Sequence, residues 1–256
     1  MAAPLKTKYA LIVVIVLAVS SVQVRSSSRP FNSEATAKLI GQGNQFLDKR
    51  DYQRARQYYD TAIAQEPTAW GPYMNRAIVF MHQRKWSLAL EDLNTVVRLK
   101  PGHLIAALMR GGINQELGNY GRALDDYNRL VSISASSLSM TCAWALNARA
   151  WLLATCPNAS LRNGQQAVAD AKTACTSRAC GSGCIDTLAA AYAETGDFDS
   201  AIRFEQQAIA GVNKDELNRS VKDPERRRAA TQSVVASYQR HLTAYQHHWP
   251  WRSNLD

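Results

Sequence analysis

The stretch Asp51–Pro67, DYQRARQYYDTAIAQEP, aligns without a gap on Lys85–Pro101, KWSLALEDLNTVVRLKP, 34 residues further along. A chain that restates itself at such an interval builds one supersecondary unit several times. A single unit leaves an apolar face uncovered, and stacked copies bury it in one continuous core. The first unit, about 36–69, carries Leu39, small Gly43 and aromatic Phe46 at helical spacing. Arg50-Asp51-Tyr52 follows as a turn, then Ala55, Tyr59 and Ala62, and Pro67 ends the second helix. The second unit, about 70–103, repeats this with Tyr73, Ala77 and Phe80, then Ala89, Leu93, Val96 and Pro101. The third, about 104–137, supplies Gly111, the turn Gly118-Asn119-Tyr120, and Ala123, Tyr127 and Leu130. It departs at Asn114, where an aromatic is expected, and at Ala135 in place of the Pro. Small residues mark where two helices touch, and large ones fill the flanks.

This pattern of small, aromatic and Pro positions at a 34-residue period resembles the tetratricopeptide repeat (TPR), a pair of antiparallel helices. The resemblance covers about 36–210. It implies an all-α solenoid of about five hairpins closed by a C-terminal capping helix. A fifth unit, 182–211, reads CIDTLAAAYAETGDFDSAIRFEQQAIA in its core. The fourth, 141–176, is irregular, because the turn CPNASLRN is about seven residues longer than its counterparts. The string AWLLATCP…LRNG…AV with DTLAAAYAETGDF looks like the terminal repeat pair of many bacterial TPR proteins. Neither resemblance carries a chemical reaction. Residues 212–248 are expected to form a linker and the cap, on a stripe of Val234, Val235, Tyr238, Leu242 and Tyr245, with 249–256 as a tail beyond Pro250.

The N-terminus reads differently. Lys6 and Lys8 precede YALIVVIVLAV, and small residues surround Ala18-Val19-Ser20. A basic start, a short apolar run and a small-residue site predict a secretory signal at 1–20, with 21–35 as linker. The expected location is secreted or periplasmic. The alternative is an uncleaved anchor that holds an assembly factor at the inner membrane, and that anchor would be the chain's one membrane contact. In an oxidising compartment the five cysteines acquire meaning. An antiparallel hairpin brings Cys142, Cys175, Cys180 and Cys184 to one end of unit four and leaves Cys156 about 20 Å away. Two disulfides among the four are expected, in any of three pairings.

The inner face of a TPR stack is lined by the first helix of each unit. Here that face would present Ile40 and Asn44, then Met74, Asn75, Ile78, Met81 and His82, then Ile105 and Leu108. Some TPR domains grip a peptide's C-terminal carboxylate with two Asn and three cations. Asn44 and Asn75 match the Asn places, but Ile40, Ile105 and Met109 hold the cationic ones. Without those charges a carboxylate would be desolvated with little return, so this mode is excluded. An apolar, Met-rich groove suits a helix or extended peptide of a protein partner, or it packs against a neighbouring segment such as 25–33. The net charge of +9 is scattered among acids, which argues solubility and no nucleic-acid partner. No phosphate loop, nucleophile elbow or HExxH occurs. His241, His247 and His248 read as solvated residues of the cap. No metal, cofactor or catalytic site is expected; a Cys- or His-dependent enzyme is the least favoured alternative.

Overall fold

The computed structural model describes residues 33–133, 140–177, 181–212 and 223–253. Among these it holds eleven α-helices, one short 3-10 helix and no strand. Five hairpins follow in chain order: α1 (Glu34–Asp48) with α2 (Tyr52–Gln65), α3 (Trp70–His82) with α4 (Trp86–Leu99), α5 (Leu104–Glu116) with α6 (Tyr120–Ile133), α7 (Met140–Thr155) with α8 (Gly164–Cys175), and α9 (Gly181–Glu194) with α10 (Phe198–Gly211). The last helix, α11 (Pro224–Gln246), packs on α10 and more lightly on α9. Each helix packs on the next, and first helices also touch those of neighbouring units. The expected all-α solenoid with a capping helix is the observed fold. The proposed signal at 1–20 lies outside the described residues.

Local chemistry fixes where helices begin and turn. The side chains of Ser33, Asp51, His103, Asn163 and Asp197 accept hydrogen bonds from the N–H groups of Thr36, Arg54, Ala106, Gln166 and Ser200. Each satisfies a backbone donor that the helix itself leaves open. Hairpins one, two, three and five turn through one left-handed residue: Arg50, Arg84, Gly118 and Gly196, at φ of 59°, 57°, 78° and 84°. Glycine adopts this conformation without strain, and arginine does so at a cost of about 1 kcal/mol.

Two devices repeat through the stack. The first is a small residue facing a large one within each hairpin. Gly43 faces Tyr59 and Gly111 faces Tyr127 so closely that an added Cβ would lie 2.5 Å and 2.6 Å from the ring. Both rings are fully buried. In unit two the same register pairs Ala77 with Leu93, a larger small residue with a smaller large one. The second device is an arginine on the first helix. Arg76 donates from Nε and Nη2 to both oxygens of Asp92 at 2.9 and 2.7 Å, and from Nη1 to Asp60 of the preceding unit at 2.7 Å. Arg110 holds Asp126 and Asn94 in the same way, and Arg149 holds Asp170 and Asn128. Each planar guanidinium thus joins the second helices of two successive units, a fork geometry lysine cannot supply. In unit five Leu188 and Phe204 occupy the corresponding places, and the ladder stops.

Candidate functional site

On the inner face, Asn44 Oδ1 accepts from Tyr59 OH at 2.7 Å and from Asn75 Nδ2 at 2.9 Å. With its oxygen doubly used, Asn44 retains its N–H donors and Asn75 its carbonyl oxygen for another partner. Asn44 is exposed, and Asn75, Ile40 and Ile105 are half-buried. His82 is exposed at the end of α3 and stacks on Tyr52 with centroids 5.3 Å apart. The stacked ring is nonetheless partly desolvated, and this first, then the charge of Arg50, holds its pKa below the ordinary histidine value.

Four of the expected groove residues are core instead. Met74, Ile78, Met81 and Leu108 are 3%, 7%, 4% and 0% exposed and belong to the largest apolar cluster. They share that cluster with Leu93, Val96 and Val97 of the second helix of unit two, so these side chains fill the space between packed helices, and flexible Met suits such irregular gaps. Met109, at a cationic place of the carboxylate-binding pattern, is buried as well. The inner surface is consequently a short polar pair bordered by Ile40, Ile105 and His82, and not a Met-lined trough.

The cysteines sit at one edge of unit four. Cys175 at the end of α8 is bonded to Cys184 in the first turn of α9, with Cα atoms 5.6 Å apart. Cys142 is buried beside Ala174, at the same edge. Cys180 lies outside the described residues. Cys156 is buried at the far end of α7. Burial pushes the Cys142 and Cys156 thiols up, which keeps them protonated and poorly nucleophilic.

His241 overturns its expected role. It is 1% exposed, not a solvated cap residue. Its Nδ1 lies 2.7 Å from Asp186 Oδ1 on α9 and 3.6 Å from Glu205 Oε1 on α10. Burial alone would lower the imidazole pKa, but the two carboxylates outweigh it and raise it to about 9. Burial, and then the Asp186 charge, push Glu205 well above the ordinary range. Both Glu205 oxygens, His241 Nε2, Ser237 Oγ and Tyr245 OH are buried without a hydrogen-bond partner. The tail closes this cluster. The Trp251 ring lies 4.4 Å from the His241 ring, with Trp151 at 5.7 Å on the other approach. Arg252 pairs with Glu194 at 2.7 Å, and Ser253 N–H donates to Thr155 O at 3.1 Å. The long turn of unit four joins the same corner, where Arg162 Nε donates to Glu194 Oε1 at 2.9 Å.

A sequence signal for this cluster existed. Counting from the helix caps, Glu205 occupies the register of Tyr59, Leu93, Tyr127 and Ala171, and Asp186 that of Ile40, Met74, Leu108 and Asn147. His241 lies between Tyr238 and Tyr245 at i+3 and i+7, the same buried stripe. Leu242, expected in that stripe, is half-buried instead.

A family model described as Tetratricopeptide repeat matches residues 40–103 and, overlapping, 74–137. Residues 40–137 carry tetratricopeptide repeats. Sperm-associated antigen 1 of Rattus norvegicus is 33% identical over 91 residues, which is 36% of this chain and 10% of that protein. The chain therefore spans about a tenth of that relative's length. The crystal structure of MamA superposes with a TM-score of 0.57 at 17% identity, covering 69% of this chain and 91% of MamA. YrrB, described as a TPR protein with an unusual peptide-binding site, superposes at 0.55 and 16%, covering 69% and 92%. These two share the fold. TPR stacks are in general non-catalytic modules for protein and peptide binding.

Proposed function

We propose that this TPR chain is a scaffold that binds an extended peptide of a protein partner on its inner face, outside the cytoplasm, and performs no chemistry of its own. The observation that carries the reading is the Tyr59–Asn44–Asn75 network. It fixes two side-chain amides on neighbouring first helices and leaves a donor and an acceptor beside each other. That is the complement of one peptide unit, which carries one donor and one acceptor of its own. Ile40 and Ile105 offer flanking apolar contact, and the absence of cations at the three clamp positions favours an internal segment over a free C-terminus. The Cys175–Cys184 bond and the basic-then-apolar stretch at 1–20 support an oxidising location.

Peptides selected from a displayed library against the chain under oxidising conditions test the binding reading. Asn44→Ala/Asn75→Ala is expected to weaken selected peptides at least tenfold. An Arg122→Ala control is expected to bind as the parent does. Selected peptides that ignore the double substitution place the binding surface elsewhere and refute the proposed face. Cell fractionation with intact mass tests the location, the expected product lacking about 20 N-terminal residues.

A further inference from the structure

The repeat register makes unit five anomalous. At two positions that hold Tyr59, Leu93 and Tyr127, or Met74 and Leu108, in earlier units, it holds carboxylates. Glu205 is 0% exposed and both of its oxygens lack a hydrogen-bond donor. Asp186 is 7% exposed, and among the described residues the basic group paired with both is His241. One imidazole leaves the second carboxyl group without a partner, and a buried polar group with no partner is costly whether ionised or protonated.

We propose that Asp186, Glu205 and His241 bind a divalent cation of the zinc class, which clasps the capping helix α11 to unit five. One ligand atom from each of the three residues lies within 4.8 Å of the others. The 2.7 and 3.6 Å separations from Nδ1 bracket the roughly 3.0–3.4 Å expected between donors about 2.1 Å from a common ion. A mixed nitrogen and oxygen donor set suits Zn2+, Co2+ or Mn2+ better than Mg2+ or Ca2+, which take oxygen alone. Ser237 and Tyr245 stand four residues to either side of His241, so their unpartnered hydroxyls share its face of α11. Trp251 and Trp151 flank the imidazole and shield it from water. The three ligands come from three helices, so occupancy ties the cap to the last hairpin, where the arginine ladder is missing.

The test uses the full chain without an affinity tag, stripped with a strong chelator and dialysed. Co2+ is titrated by visible absorption, Zn2+ by calorimetry and Mn2+ by spin resonance, each at pH 7.5. One equivalent of Zn2+ and of Co2+ is expected to bind, with Co2+ giving the visible bands of a nitrogen- and oxygen-ligated site and Zn2+ raising the melting temperature. Glu205→Gln, Asp186→Asn and His241→Gln are each expected to lose at least a hundredfold in Zn2+ affinity and to lose the melting shift. His247→Ala/His248→Ala controls for the exposed tail histidines and is expected to retain both. Far-UV circular dichroism confirms that each variant stays helical, and any one folded ligand variant suffices. A stripped parent that binds none of the three ions at millimolar concentration overturns the proposal, and Glu205→Gln stabilising it would assign the cluster to a shared proton. Binding that survives all three ligand substitutions overturns it equally.

Discussion

Replacing Gly111 with alanine places a Cβ 2.6 Å from Cε1 of Tyr127, about 1 Å inside ordinary carbon contact. The ring is completely buried and has no room to retreat. Two effects oppose. Alanine in a helix interior gains about 1 kcal/mol over glycine, and overpacking a closed core costs about 1–3 kcal/mol. Because the clash is with a ring held on every side, overpacking wins, and the expected net loss is about 1–2 kcal/mol. Tyr127→Leu alone removes ring volume against Gly111 and is expected to cost about 2 kcal/mol through the gap it leaves. The double variant reproduces the Ala77–Leu93 pair that unit two uses naturally. It is expected to be more stable than the sum of the single variants by at least about 1 kcal/mol, as directly touching residues couple. Urea unfolding followed by circular dichroism measures all four proteins, with unchanged slopes confirming that only stability has moved. A Gly111→Ala protein as stable as the parent, or a cycle that is additive, refutes the size-matching reasoning.

Asp170→Ala should cost about 3 kcal/mol, because it strands the Arg149 guanidinium, only 14% exposed, while Asp170→Asn should lose less by keeping one acceptor; thermal melts compare the two. His103 accepts the Ala106 N–H through Nδ1, and its pKa is depressed to about 4, by burial first and by Lys100 second. A base whose folded pKa lies below its unfolded 6.5 stabilises at high pH and loses that contribution as pH falls from about 6.5 through 4. The melting temperature should therefore drop between pH 7 and 4.5, and less so in His103→Asn, which keeps a cap that does not titrate in this range. Arg50→Gly should raise stability by about 1 kcal/mol by relieving the left-handed turn; an unchanged or lower melting temperature would show that the arginine side chain compensates the strain.

The repeat was legible because its signals are local and recur. Helix spacing, the small residue at 43, 77 and 111, and the turn at 50, 84 and 118 all return at the same period. The arginine ladder follows the same interval through Arg76 and Arg110, yet it passes in sequence for scattered surface charge. Half-readable features failed for a physical reason. Met74, Ile78, Met81 and Leu108 were expected on an open inner side of the first helices, and they are buried in the core, because whether a helix face is open depends on the helices packed against it.

The sequence by itself determined the unit, its number, the helical stack and the position of the cap, because each rests on interactions within one hairpin or between adjacent copies. Only the tertiary structure decided that Asp186, Glu205 and His241 meet. They come from three helices, and His241 stands 55 residues from Asp186 in sequence and 2.7 Å from it in space. Only it decided that the tail returns to Thr155 over 98 residues of chain to seal them. Contacts of that separation leave no period to read. They follow from how α11 packs on α9 and α10 and from the tail's return to the end of α7, interfaces that form once in the chain and so have no repeated counterpart.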